Sequence, residues 1–187
     1  EGLRLAVRGM RLFPVLCASG LNNIGTDLAL DFIAEYFPAP TERGPRPGIS
    51  DGKEVERAVS SSEPVSAFVF KTVADPFAGR VTYFKVFSGV LKNDANLLNS
   101  RSGASERLSH VGCLSGKTIQ PVAELHAGDI GAVAKLKETV TGDTLGEKSA
   151  LISYPTVKLA EPSIAFAIEA KTRQDEEKIS QALAKLV

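Results

Sequence analysis

The side chains that stand out in this sequence are cationic, and they are clustered. Between Arg80 and Lys92 stand Arg80, Lys85 and Lys92 with no acid, and between Arg101 and Lys117 stand Arg101, Arg107 and Lys117 against Glu106 alone. Such a row on a small folded surface could follow an RNA backbone, where affinity comes from neutralising phosphates. The same residues also suit an ordinary mixed surface. Catalytic constellations are sparse. His110 and His126 have no Cys or carboxylate at metal-site spacing, so each reads as a strand or loop residue. The sequence contains no G-x-x-x-x-G-K-[ST], G-x-G-x-x-G or G-x-S-x-G motif. Asp175, Glu176 and Glu177 fall in the first turn of a predicted helix, where acids complement the helix dipole. Cys17 and Cys113 are far apart, each in an apolar run, and read as buried reduced thiols.

The elements that must carry these residues change character along the chain. Residues 1–12 place Leu3, Ala6, Val7 and Met10 on one helical face. The apolar run 13–18 has the look of a buried parallel strand. After the turn 19–25, Thr26 can cap a helix with Ala29, Phe32, Ile33 and Tyr36 on one face, which Pro38 and Pro40 stop. Residues 38–64 are rich in Pro, Gly and Ser and read as a linker, with GKEVERAV its one possible edge strand.

Strand signals then recur over 65–73, 80–88, 95–99, 106–114, 130–136 and 150–154. Asp75-Pro76, Ala78-Gly79, Ser88-Gly89, Ser102-Gly103, Ser115-Gly116, Gly128-Asp129 and Gly142-Asp143 punctuate them. About six strands in roughly 90 residues predict closure into a barrel, which leaves no long edge exposed. Within it, 81–87 alternates β-branched, aromatic and basic residues as the second strand. A further strand is expected over 163–169. After it Thr172 and Asp175 stand at capping-box spacing before a helix with Ile179, Ala182, Leu183 and Leu186 on its apolar face.

The 187 residues carry 43% hydrophobic residues, enough for a core, and a formal net charge of zero, so no global basic field marks the chain for nucleic acid. No apolar run reaches membrane-spanning length and no signal-peptide pattern opens the chain, which favours a cytoplasmic protein. The opening Glu-Gly and the incomplete α/β and strand–helix flanks read as a piece of a longer protein.

Three long segments, FVFKTVADPFAGRVTYFKVFSGVLK, AGDIGAVAKLKETVTGDTL and EPSIAFAIEAKTRQDEEKISQALAKL, resemble bacterial translation elongation factor G in order and spacing. PVLCASGLNNIG, the following helix and PAP resemble the last strand, loop and helix of its GTPase domain, and GKEVERAVSSSEP the variable link that follows. The resemblance implies a mainly β chain. Residues 1–40 would end a P-loop GTPase domain, 41–63 form a linker, 64–155 a six-stranded translation-factor barrel (domain II), and 156–187 the first strand and helix of a ferredoxin-like domain III. It implies a parent GTPase that binds GTP with Mg and drives tRNA–mRNA translocation on the ribosome. Its partners would be small-subunit rRNA and proteins, with ribosome recycling factor a further one, and no membrane.

In this resemblance Ser19, Gly20 and Leu21 take the place of the guanine-contacting loop. Ser19-Gly20 departs from the family's Ser-Ala in a G-S-A context, and glycine there would hold the loop less firmly. The phosphate loop, the switches and the base-selecting motif have no counterpart in the chain. No catalytic residue or metal ligand is therefore assigned, and the chain alone is expected not to turn over GTP. The RNA-facing candidates are Arg80, Lys85, Arg101 and Arg107. A divergent paralogue acting in ribosome recycling or protection is an alternative to the translocase, and a free-standing small-ligand-binding barrel is another.

Overall fold

The computed structural model describes residues 1–75, 79–116, 118–157 and 160–186. Pro76 and Ala78 of the first predicted turn, Lys117 and the side chain of Leu186 lie outside the described residues. Residues 1–44 form one compact unit and 45–187 another.

In the first unit, helix α1 (Gly2–Arg8) contacts α2 (Thr26–Tyr36). Gly25 takes the N-cap position of α2 with φ 69°, and the Thr26 hydroxyl donates to the Asn23 side chain instead of capping. The left-handed turn favours glycine because a Cβ there would sit 3.2 Å from the Cys17 carbonyl. Pro38 and a 3₁₀ turn at Pro40–Glu42 follow α2, and Arg8 reaches Glu42 at 2.6 Å. The predicted buried strand over 13–18 is absent. Its residues are irregular, with Val15 90% exposed, and Cys17 is an exposed thiol. A parallel strand is held by neighbours on both sides, and this unit supplies no strand beside it.

The second unit opens with a hairpin in the stretch read as linker: β1 (Arg46–Ser50) pairs with β2 (Lys53–Arg57) around Asp51-Gly52, both at positive φ. Asp-Gly is the turn chemistry that two-residue hairpins require. The long strands β3 (Ser66–Asp75) and β4 (Gly79–Ser88) come next, then β5 (Val90–Lys92), β6 (Ala95–Asn99), β7 (Ser105–Leu108) and β8 (Gly112–Ser115). β9 (Thr118–Pro121), β10 (Glu124–His126), β11 (Ile130–Ala134) and β12 (Thr144–Gly146) complete the set. The single strand expected over 106–114 is two, because His110 sits at φ 56° and breaks the extended backbone. The last expected strand, 150–154, is reduced to an isolated bridge between Ser153 and Ile49.

The main sheet runs β7-β6-β12-β3-β4-β11-β8-β9, with β10-β5 as a separate pair. Its curl follows from chain length. β7 and β8 stand six places apart in the sheet, roughly 29 Å if it were flat, yet residues 109–111 can span only about 14 Å. The sheet therefore rolls until its ends meet. At the meeting place the Val111 N–H donates to the Asn93 side-chain oxygen at 3.2 Å, and the Asn93 N–H donates to the Ala123 carbonyl at 3.0 Å. Ala67, Val69, Phe84, Val86, Leu97, Val133 and Leu145 fill the interior with other buried side chains. A second cluster, Phe68, Ile152 and Tyr154 with Val55 and Phe87, packs hairpin β1–β2 against the outside.

Beyond the barrel, 163–169 forms no strand, and Ile164, Phe166 (86%) and Ile168 stand exposed on alternate residues. The alternation suits a strand, but no described strand offers it a ladder. Helix α3 (Arg173–Leu186) follows, with the Thr172 hydroxyl donating to Asp175 at 2.6 Å.

Candidate functional site

The four cationic candidates fall at two separate places on the barrel. Arg80 and Lys85 lie on β4, an odd number of residues apart, so regular pleating points them to opposite faces. Lys85 shares its face with Tyr83 and Phe87, and it pairs across the sheet with Phe68 on β3 and Ile130 on β11. Arg80 lies opposite Ala74 near the β3–β4 turn, and its carbonyl accepts the Lys135 N–H at 2.8 Å. Arg101 and Arg107 belong to the β6–β7 hairpin, which β12 and β3 separate from β4.

Arg101 is committed to the fold. Its Nε and Nη2 donate to the two oxygens of Asp143 at 2.6 and 3.0 Å, and Nη2 also donates to the Glu138 carbonyl at 3.0 Å. The arginine side chain is 55% exposed while the aspartate side chain is 3% exposed. Asp143 also accepts from the buried Asn99 amide (2.8 Å) and the Val140 N–H (2.9 Å). Burial alone would push its carboxyl up. The Arg101 guanidinium, the Val140 N–H and the Asn99 amide outweigh burial and hold it below the ordinary carboxylate range. Beside this cluster the Glu106 carboxylate accepts the backbone N–H groups of Lys137, Glu138 and Thr139 at 3.2, 2.7 and 3.1 Å, and the Thr139 hydroxyl at 3.0 Å. The one acid among the cations of 101–117 is thus buried under the 137–139 loop. In the linear sequence Gly142-Asp143 reads only as turn punctuation, and its spacing carries no signal of this anchor.

Arg107 is paired with Asp94 at 3.0 Å, both side chains well exposed. The Ser109 hydroxyl and the Arg107 charge lower the Asp94 carboxyl. An exposed pair of this kind is worth little to stability and is readily exchanged for another anion.

The Ser19–Leu21 loop is an independent feature of the first unit. Backbone bonds between Ser19 and Ile24 (2.9 and 3.1 Å) close it, and the Ser19 hydroxyl accepts the Asn22 N–H at 3.3 Å. A Cβ added at Gly20 would meet nothing within 4 Å.

The barrel is filled by apolar side chains and carries aromatic and charged residues on its outside. Residues 64–148, which form the barrel, match the family model of elongation factor G domain 2. The crystal structure of a Thermus thermophilus protein is 33% identical and superposes with a TM-score of 0.79 over 98% of this chain. The chain spans 26% of that protein's length.

Proposed function

We propose that the chain is the docking and relay portion of a translational GTPase that promotes tRNA–mRNA translocation, with its barrel resting on small-subunit rRNA in the cytoplasm. The observation that carries this reading is the family match of the barrel, joined to cations on its outer surface. Arg107 and Lys85 serve as the RNA-facing residues of the outer surface, and Arg80, on the opposite face of β4 near its start, contributes from the end of the barrel. Arg101 has mainly a structural part, because Asp143 already takes its charge. Ser19, Gly20 and Leu21 lend backbone contacts to guanine. The nucleotide, with its Mg, would supply the free-energy step of the cycle, and the chain's own residues only border the base.

Salt-dependent pelleting with small ribosomal subunits tests the reading. Binding should fall steeply as salt rises, since released counterions drive phosphate contacts. Arg107→Glu should weaken it without loss of thermal stability. Binding that ignores both salt and Arg107→Glu would remove the barrel from the RNA interface.

A further inference from the structure

The long β3–β4 ladder contains an irregularity that changes what its outer face presents. Val69 pairs with Phe84, but the next pair is Lys71 with Tyr83, so Phe70 is an extra residue on β3. In such a β-bulge two consecutive residues oppose a single partner, which interrupts the usual in–out alternation. Val69 is fully buried inside the barrel. Phe70 and Lys71 both stand outside it opposite Tyr83, with Phe70 43% exposed and Lys71 exposed. The adjoining cross-strand row carries Lys85 beside Phe68. Lys71 has no ion-pair partner among the described residues, unlike Arg101 and Arg107.

We propose that Phe70, Lys71 and Tyr83 form a stacking site for unpaired RNA bases. This deepens the docking function proposed above and rests on it for the identity of the RNA. A phenylalanine on one strand and a tyrosine on the next offer flat faces to bases that are already splayed out, and the lysine that follows Phe70 and pairs with Tyr83 meets the phosphate that links them. A duplex keeps its bases stacked and offers only its backbone, so this arrangement selects single-stranded segments. The bulge is what makes the site. In regular pleating Phe70 would follow Val69 on the opposite face and Lys71 would turn back inward, leaving no aromatic beside the cation.

The test compares the whole chain with Phe70→Leu, Tyr83→Leu and Lys71→Gln. It measures binding of a fluorescent oligouridylate, competition by a blunt RNA duplex, and binding to small ribosomal subunits. Phe70→Leu and Tyr83→Leu should each weaken oligouridylate binding about tenfold and leave its salt slope unchanged. Lys71→Gln should flatten that slope by roughly 0.7. Duplex should compete poorly. Far-ultraviolet circular dichroism and thermal melting check that each variant is folded, and the exposure of Phe70 makes Phe70→Leu the decisive one. If wild-type chain binds subunits while Phe70→Leu binds oligouridylate as wild type, the stacking site is overturned and docking stands. If wild type does not bind subunits, docking fails, and the oligonucleotide result alone decides the site. Equal competition by duplex, or no oligouridylate binding at all, overturns it.

Discussion

At the level of single residues, the decisive distinction is between cations that the fold has already used and cations that it leaves to solvent. Asp143 illustrates the first kind from the acid's side. Its carboxyl is depressed in the folded chain, so its contribution to stability is fully present above the ordinary aspartate range. It is lost as pH falls through the lowered value. Chemical denaturation of the wild type should therefore show stability declining below about pH 4, and Asp143→Asn should flatten that decline. At neutral pH Asp143→Asn should cost about 2 kcal/mol, since the Arg101 guanidinium and the Val140 N–H lose a charged acceptor. Burial raises the Tyr154 hydroxyl, whose oxygen lies 2.7 Å from Ser66, and this stability fades in the opposite direction, as pH rises beyond about 10. In the sequence alone, Arg101 and Arg107 cannot be told apart. Arg101 stands beside the Ser102-Gly103 turn and Arg107 near the start of the next strand, and only the position of Asp143, far along the chain, shows which of them the fold engages.

Among the elements, the barrel depends on tight passages between strands. Gly89, between β4 and β5, has φ 78°, and a Cβ on it would lie 2.6 Å from the Val65 Cα and 2.8 Å from the Glu63 carbonyl. Backbone cannot yield as a flexible side chain can. Gly89→Ala should destabilise the barrel by roughly 2 kcal/mol or more, read as a lower thermal midpoint. Ser88-Gly89 is legible as a reversal because glycine tolerates positive φ. The bulge at Phe70 is not legible, because no residue type marks it and the alternation around it reads equally well without it. The prolines and glycines of hairpin β1–β2 disguise it as a linker, yet its glycines are what its turn and its close packing on Ile152 require.

Across the whole molecule, the barrel holds the buried core while the flanking segments present apolar residues outward. Leu21 and Phe13 in the first unit and Phe166 beyond the barrel are exposed in the same way. The loop proposed to face guanine belongs to one of these segments and contributes backbone alone. The chain by itself should accordingly show no micromolar affinity for GTP. A titration with fluorescent GTP checks this, since a base-edge contact without a phosphate cradle leaves the most highly charged part of the ligand unbound. Among the described residues no helix is long and apolar enough to cross a membrane.

Residue order was enough to mark the class of the barrel and the place of its turns. Alternation over 81–87, the Gly-containing reversals and the order of three long segments are local properties, and local properties survive in a linear reading. Which cations remain available was settled by contacts between distant parts of the chain. Pairing of β12 with β6, Leu145 with Asn99 and Gly146 with Leu98, sets the 137–143 loop against the β6–β7 hairpin, and that meeting ties Arg101 to Asp143 and buries Glu106. Folding likewise placed Phe70 and Lys71 on a shared outer face opposite Tyr83, because register is a property of two strands and cannot be written in either one.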